Sequence, residues 1–214
     1  MSFKHCFIVV VVLLMTIMAT AQDNISAVIE IRFEGVEIRR ANSDLWLSLP
    51  QHATAFVGSG DTLRTDKQGR VDVQFDENSQ MLMLSNSEFT LSALATHDGA
   101  FTFEGMLTGN AMIETSPDTQ FESFNLYLHD MTITQPASLM AIWSFPDASD
   151  AVTVAQGNAM IVNNGTEVDI PAESGFLAEP DRTESVAFDP EWHAAGLEAT
   201  LYGCEGIIQT AGNS

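Results

Sequence analysis

Cysteine is almost absent from this sequence, and the cysteines present cannot form a disulfide within the mature chain. The 214 residues include two cysteines, Cys6 and Cys204, and Cys6 lies in an N-terminal segment that we expect to be removed. A mature chain with one cysteine has no intramolecular disulfide, so a packed core must stabilise it in an oxidising compartment. Gln22, rather than the cysteine that lipid attachment requires, follows the expected cleavage site. The sequence therefore argues against a lipoprotein.

Basic residues are scarce, and nearly all of them lie in the first third of the chain. Residues 22–70 carry seven acidic and six basic side chains, whereas residues 71–214 carry 22 acidic side chains and one basic side chain, Arg182. A surface this negative repels phosphate backbones and anionic lipids, which argues against a nucleic-acid partner. It attracts cationic proteins, cationic surfaces and calcium, although the same charge can serve solubility alone. The acidic stretch at residues 76–79 lacks the later ligands of an EF-hand loop.

The sequence also lacks the motifs of catalytic and metal centres. It contains no HExxH, no paired Cys and His at zinc spacing, no GxSxG and no phosphate loop. We therefore predict no catalytic residue, no metal site and no cofactor, and we expect that the protein is not an enzyme. Paired carboxylates, or a sugar-stacking platform of Trp46, Trp143 and Trp192, leave a carbohydrate-binding or weakly hydrolytic protein as the alternative.

One long apolar run is present, close to the N-terminus. A short cationic start is followed by the apolar stretch CFIVVVVLLMTIM and then by Ala19, Thr20 and Ala21, the small-x-small pattern that signal peptidase requires. The run from Cys6 to Ala21 is shorter than the ~20 residues of a spanning helix. We expect residues 1–21 to be a cleaved signal peptide, and the mature protein to be periplasmic or secreted without a stable membrane anchor.

After this segment, apolar residues alternate with polar ones, as they do in half-buried β-strands. Ile29, Ile31 and Phe33 are separated by charged residues, and residues 71–84 read as a hairpin around an acidic turn. The pair Asn164–Gly165 favours the positive φ angles of a tight hairpin. These patterns predict about a dozen short strands.

We therefore predict an all-β fold of short antiparallel strands, either a β-sandwich or jelly-roll-like arrangement or a β-helical roll. Residues 22–188 are expected to form this β domain. At most one short helix is predicted, starting at Asp189 with Pro190 in its first turn, inside a C-terminal extension of residues 189–214.

The stretch GSGDTLRTDKQGRVDVQFDENS, residues 58–79, resembles the core motif of the FecR-like domain family. That motif is a Gly-Asp pair, then Leu-Arg-Thr, a short turn, a Gly-Arg pair and a strand that ends in Phe. Its residues here, with the tryptophan upstream of it, are Trp46, Gly60, Asp61, Leu63, Arg64, Thr65, Gly69, Arg70 and Phe75. The match is best over residues 28–92 and weaker over residues 99–180.

The resemblance implies a non-catalytic extracytoplasmic module that binds, senses or acts as a scaffold, with Trp46 in its core. FecR-like domains lie outside the cytoplasmic membrane, and some relay a receptor signal to a sigma factor. Because we see no cytoplasmic helical segment before the motif, we expect an envelope or extracellular protein, or a cationic surface, as partner rather than sigma-factor control. In the Gly-Asp turn we expect Asp61 to accept backbone N–H bonds.

The pentapeptide GNAMI occurs twice, at residues 109–113 and 157–161. Each copy follows an alternating strand, turns at its Gly-Asn pair and begins another strand. Beyond the pentapeptide the polar residues differ. We therefore interpret the repeat, with Gly109 and Gly157 at its turns, as a structural corner and not as a repeated active loop.

Overall fold

The computed structural model describes residues 23–144, 149–179 and 182–186, which form strands and no helix. The strands are β1 (Asp23–Asn24), β2 (Ala27–Phe33), β3 (Val36–Arg39), β4 (Trp46–Leu49), β5 (Thr54–Val57), β6 (Thr62–Thr65), β7 (Arg70–Asp76), β8 (Ser79–Met83), β9 (Glu88–His97), β10 (Ala100–Glu114), β11 (Phe121–Tyr127), β12 (Met131–Gln135), β13 (Leu139–Ser144), β14 (Asp150–Gln156), β15 (Ala159–Asn163), β16 (Thr166–Ile170), β17 (Ser174–Glu179) and β18 (Arg182–Val186). Within these ranges no helix is long and apolar enough to cross a membrane. The expected signal peptide and the helix predicted from Asp189 lie outside the described residues.

The strands form two sheets that share β10. Sheet A has the order β4-β3-β6-β9-β10-β11-β12-β15-β16, and β1 pairs with the end of β9. Sheet B has the order β5-β2-β7-β8-β10-β13-β14-β17-β18. Neighbouring strands are antiparallel, except that β10 and β11 run parallel. The all-β prediction is confirmed, although the described residues contain eighteen strands rather than about a dozen.

Hairpins alternate between the two sheets along the chain. After the β7–β8 hairpin in sheet B, the β9–β10 hairpin lies in sheet A. The first part of β10, residues 100–108, pairs with β9 in sheet A, and its second part, residues 109–114, pairs with β13 in sheet B. The later hairpins then lie in sheets A, B, A and B in turn. Within the described residues, this order leaves β4 and β5 at one end of the sandwich and β16 and β18 at the other.

The two sheets face each other across a shared apolar core. The ring centres of Phe75 in sheet B and Phe103 in sheet A lie 4.6 Å apart. The predicted alternation is confirmed for Ile29 and Ile31, which are fully buried. Phe33 does not follow it and is 43% exposed, because a register shift between Ile31 and Phe33 turns the side chain out of the core.

The two GNAMI copies lie where the chain crosses between the sheets. At Gly109 (φ 105°) β10 passes from sheet A to sheet B, and at Gly157 (φ 81°) the chain leaves β14 in sheet B for β15 in sheet A. A Cβ on Gly109 would lie 2.6 Å from the Cα of Ser87, and one on Gly157 would lie 3.0 Å from the backbone nitrogen of Ser138. Both crossings therefore use glycine for its backbone angle and for close approach of another chain segment.

Candidate functional site

The Gly-Asp corner of the stretch that resembles the FecR-like motif is a hydrogen-bond network centred on Asp61. Its nearly buried carboxylate accepts the backbone N–H of Ala41 at 2.9 Å on Oδ1 and that of Gly58 at 3.0 Å on Oδ2. The Arg40 guanidinium donates to Oδ2 at 2.7 Å and to the carbonyl oxygen of Phe56 at 2.7 Å. Asp61 thus connects the loop after β3 with the corner between β5 and β6.

Three further motif residues lie in the core or at its border. Leu63 is fully buried in β6, and Phe75 is nearly buried in β7. The Thr65 hydroxyl donates to the Leu84 carbonyl oxygen at 2.6 Å and accepts the Ser87 N–H at 2.9 Å. These side chains join strands to each other and leave no surface for a ligand.

The remaining turn residues of the motif contact nearby backbone or rings. Gly60 has a φ of 86°. A Cβ on Gly69 would lie 2.5 Å from the Gly35 carbonyl oxygen. The Arg70 guanidinium carbon lies 5.1 Å from the centre of the Phe33 ring, so this arginine covers the phenylalanine that the register shift turns outward.

Trp46 lies on the outer face of sheet A, and the expectation that it belongs to the core is wrong. The indole is half-buried and lies between two arginines, with the guanidinium carbon of Arg64 4.0 Å and that of Arg39 5.1 Å from the ring centre. Arg64 Nε also donates to Glu37 at 2.6 Å. Trp46 is the cross-strand partner of Arg39, so both side chains project on the outer face, where cation–π contacts replace burial.

The edge strands at this end of the sandwich, β4 in sheet A and β5 in sheet B, expose large apolar side chains. Leu45, just before β4, is 71% exposed, and Leu47 in β4 is 52% exposed. Phe56 in β5 is 65% exposed. Among the described strands, β4 pairs only with β3 and β5 pairs only with β2, so each has one open backbone edge. We call this surface the β4–β5 end and define it by Arg39, Leu45, Trp46, Leu47, Phe56 and Arg64.

The β4–β5 end combines apolar area with positive charge. Arg39 has no carboxylate partner in the described ranges, and Arg64 is shared between the Glu37 carboxylate and the Trp46 ring. Guanidinium groups bind carboxylates with paired hydrogen bonds. The chemistry of this surface therefore suits a partner that supplies apolar side chains and carboxylates.

The described residues hold no arrangement typical of a catalytic or metal-cluster centre. No group of three or more His, Cys, Asp and Glu side chains among them is placed to hold a metal ion. His97 lies 3.7 Å from the exposed Asp98 carboxylate in the β9–β10 turn. Trp46 and Trp143 lie on the outer faces of different sheets and form no common platform for a sugar ring. Trp192 lies outside the described residues.

One buried carboxylate outside the motif has a shifted pKa. Asp72 in β7 forms an ion pair with Arg32 in β2. Burial and the nearby Glu30 raise the pKa of Asp72 and Arg32 lowers it, with a net upward shift, and the hydrogen bond to Asp72 raises the pKa of Arg32. The ion pair therefore forms at a cost of carboxylate desolvation.

Solved structures resemble the fold of this chain, whereas neither a family model nor a curated protein matches its sequence. Two crystal structures of a putative anti-sigma factor from Parabacteroides distasonis ATCC 8503 align with TM-scores of 0.53 and 0.51 and identities of 10% and 11%. The chain shares its fold with that protein. Each alignment covers 64% of this chain and 64% of the neighbour, which is less than two thirds of the neighbour's length. At these identities the likeness establishes the fold alone.

Sequence reasoning missed the exposed residues of the β4–β5 end. Leu47 pairs with Ile38 and has the inward phase of a core residue, so its pattern alone predicts burial. Its exposure follows from the position of β4 at the edge of a sheet, which depends on pairings distant in sequence. The one local indication of this surface is that the large apolar residues Leu45, Trp46, Leu47 and Leu49 follow soon after Arg39 and Arg40.

Proposed function

We propose that this protein is a non-catalytic extracytoplasmic module of FecR-like type that binds another envelope or extracellular protein, as a sensor or scaffold. The observation that carries this proposal is the β4–β5 end, where apolar side chains and arginines lie along open strand edges. The fold shared with a putative anti-sigma factor supports it. The connected network around Asp61 supports a structural, not catalytic, role for the FecR-like motif.

The extracytoplasmic location is supported by the apolar segment and small-x-small site before Gln22. Processing there gives a mature chain that starts at Gln22. The intact mass of the protein recovered from the periplasm or culture fluid tests this. A mass that includes residues 1–21 would contradict the proposed processing.

The partner binds the β4–β5 end by strand addition. An extended segment can pair with the free N–H and C=O groups of β4 and continue sheet A, which gives affinity through backbone hydrogen bonds. Its apolar side chains contact Leu45 and Leu47, and a carboxylate on the outer face binds Arg39. The occupant is therefore an extended protein segment that alternates apolar and acidic residues.

The acidic remainder of the chain contributes at longer range. Residues 71–214 carry 22 acidic side chains and one basic side chain, and such a field speeds association with a cationic partner or surface. The exposed charges are screened beyond a Debye length of about 8 Å at physiological salt. If the partner's surface outside the segment bound at β4 is cationic and the field takes part in recognition, the association rate falls as salt rises; if the field serves solubility alone, the rate stays constant.

Capture of partners from the native envelope with the mature protein tests the interaction surface. The captured partner is titrated against wild type, Leu45→Ser/Leu47→Ser and Arg39→Glu. We expect each variant to weaken binding about tenfold or more, as loss of interface anchors does. Unchanged urea midpoints show that the variants remain folded.

Met106→Ser is the matched control, because Met106 is also a large, exposed apolar residue but lies in the middle of sheet A. This variant retains wild-type affinity if the β4–β5 end is the binding surface. Full binding by the Leu45 and Leu47 variant would overturn the proposal. Equal losses of affinity in Met106→Ser and Leu45→Ser/Leu47→Ser would also overturn it.

A carbohydrate-binding protein is the second candidate, and one surface favours it. An open polar cleft of about 430 Å³ lies beside Phe121 and is lined by hydroxyl, amide and carboxylate side chains, among them Glu122, Gln135 and Asn158. Hydrogen-bonding groups beside an aromatic ring are typical of sugar sites. Saturable binding to a glycan panel that Glu122→Ala abolishes would favour this function over protein binding.

A further inference from the structure

Three buried polar side chains near the hairpin turns of the C-terminal half have atoms without a hydrogen-bond partner. Asp150 begins β14 and is 0% exposed, Ser144 ends β13 and is 1% exposed, and Asn163 ends β15 and is 5% exposed. Asp150 Oδ1, Ser144 Oγ and Asn163 Nδ2 make no hydrogen bond to any protein atom. Because buried polar groups are nearly always paired, three such atoms in one region need an explanation.

The sheet pairings bring these three residues together between the two sheets. Ser144 and Asp150 are direct cross-strand partners in sheet B. The other carboxylate oxygen of Asp150, Oδ2, reaches sheet A, where it accepts the backbone N–H of Asp130 at 2.6 Å and that of Met131 at 3.2 Å. Met131 is in turn the cross-strand partner of Asn163. Asp150 therefore bridges the sheets, with Ser144 on one side and Asn163 on the other.

Charge makes this arrangement expensive unless a positive group neutralises it. A carboxylate removed from water loses several kcal/mol of solvation, and the two backbone N–H groups at Oδ2 leave the buried Oδ1 without compensation. Residues 71–181 contain no lysine or arginine. None of the ion pairs in the described ranges involves Asp150. Residues 71–181 therefore supply no basic side chain that could compensate Asp150.

We propose that Asp150, Ser144 and Asn163 bind a hard, oxygen-coordinated cation, Ca²⁺ or Na⁺, between the two sheets. Asp150 Oδ1 and Ser144 Oγ supply two oxygen ligands, and Asn163 supplies a third through its amide oxygen. The two ends of an asparagine amide are exchangeable in the placement of their atoms. Asn164 Nδ2 now donates to Asn163 Oδ1 at 2.9 Å, and turning both amides keeps that bond while the Asn163 oxygen takes the position of the unpaired nitrogen.

Such a site has a defined chemical character. Calcium takes six to eight oxygen ligands, and sites with few carboxylates bind it at about 10⁻⁴–10⁻³ M. With one carboxylate, the site belongs to this weak class and saturates only where calcium is millimolar. The cation would hold the β11–β12, β13–β14 and β15–β16 hairpins together, so its effect is stabilisation of the C-terminal half and not catalysis.

Thermal unfolding of the mature chain in CaCl₂, NaCl and choline chloride, at matched ionic strength, tests the proposal. At 10 mM Ca²⁺ the expected dissociation constants give a rise in Tm of about 3–10 °C over choline chloride, by mass action on the folded state. A rise in CaCl₂ alone identifies a calcium site. An equal rise in NaCl identifies a site for monovalent cations as well. Tb³⁺ luminescence excited through Trp143, the neighbour of Ser144, reports occupancy directly.

Matched variants separate a site from the general attraction of an acidic surface. Asp150→Asn should abolish the cation-dependent rise in Tm, whereas Asp169→Asn, which removes one exposed carboxylate from the same half, should keep it. If Asp150→Asn does not fold, Ser144→Ala provides the second test, and we expect it to raise the half-saturating Ca²⁺ concentration about tenfold.

Two results would overturn the proposal. One is the same Tm in all three salts, which would indicate that a buried water occupies the place beside Asp150. The other is an equal loss of the response in Asp150→Asn and Asp169→Asn, which would show diffuse attraction to the acidic surface.

Discussion

Alanine at Gly109 should destabilise the protein far more than alanine at a glycine with a similar backbone angle in open space. Gly109 has a φ of 105°, and its added Cβ would lie 2.6 Å from the Ser87 Cα. Gly99 has a φ of 82°, and its added Cβ would have no atom within 4 Å. Both changes cost about 1–2 kcal/mol for a left-handed non-glycine residue. Gly109→Ala costs a further ~1–3 kcal/mol, because the clash is with backbone that cannot rotate away.

Urea unfolding of Gly109→Ala, Gly157→Ala and Gly99→Ala measures the difference. With a slope of about 2 kcal/mol per molar urea, Gly109→Ala should lower the midpoint by about 0.5–1.5 M beyond Gly99→Ala. The urea midpoint of Gly157→Ala should lie between those of the other two variants, because the nearest atom to its added Cβ is 3.0 Å away. Midpoints of Gly109→Ala and Gly99→Ala within about 0.2 M of each other would refute the role of close approach at the crossing.

Two further predictions concern buried carboxylates. Asp61→Ala should lower the free energy of unfolding in urea by about 2–3 kcal/mol, because two backbone N–H groups and Arg40 lose the carboxylate that accepts their bonds. The control, Asp44→Ala at an exposed position, should change the stability by less than about 0.5 kcal/mol. Equal effects of the two variants would contradict the network. The raised pKa of Asp72 favours the protonated carboxyl in the folded state, so its contribution to stability is present below the ordinary pKa of 3.8 and is lost as pH rises through the folded pKa. Asp72→Asn should therefore gain stability relative to wild type between pH 3.5 and pH 7, and a difference that stays constant with pH would show that Arg32 fully offsets the burial.

The fold class was predictable because it depends on local periodicity. The alternation at Ile29 and Ile31 and the hairpin at Asn164–Gly165 need only neighbouring residues, and the structure places strands and positive φ angles at those positions. The passage of β10 through both sheets was not predictable. Its fifteen residues read as one strand, and only pairings with β9, β11 and β13 show that the chain changes sheets at Gly109.

The candidate site was less predictable, for a related physical reason. The resemblance to the FecR-like motif drew attention to residues 58–79, and in the structure these residues mainly join strands. Trp46 was expected in the core because the resemblance to the FecR-like family implied that position. In the structure it gains cation–π contacts with Arg39 and Arg64 instead. Those contacts join three strands, and no spacing rule along one strand contains them.

The strand order places the basic residues and the acidic excess of the sequence at different ends of the molecule. The arginines and the lysine of residues 22–70 belong to the strands and loops from β2 to the start of β7, whereas the acidic excess belongs to the strands that follow. Sheet A adds its strands from β4 at one end to β16 at the other, so the near-neutral region with the exposed apolar residues lies at one end, and Glu167 and Asp169 lie at the other. A molecule with separated charges orients an approaching charged partner before contact. An acidic extended segment is thus repelled from β16 and can reach Arg39 at β4, although both strands offer an open edge among the described residues.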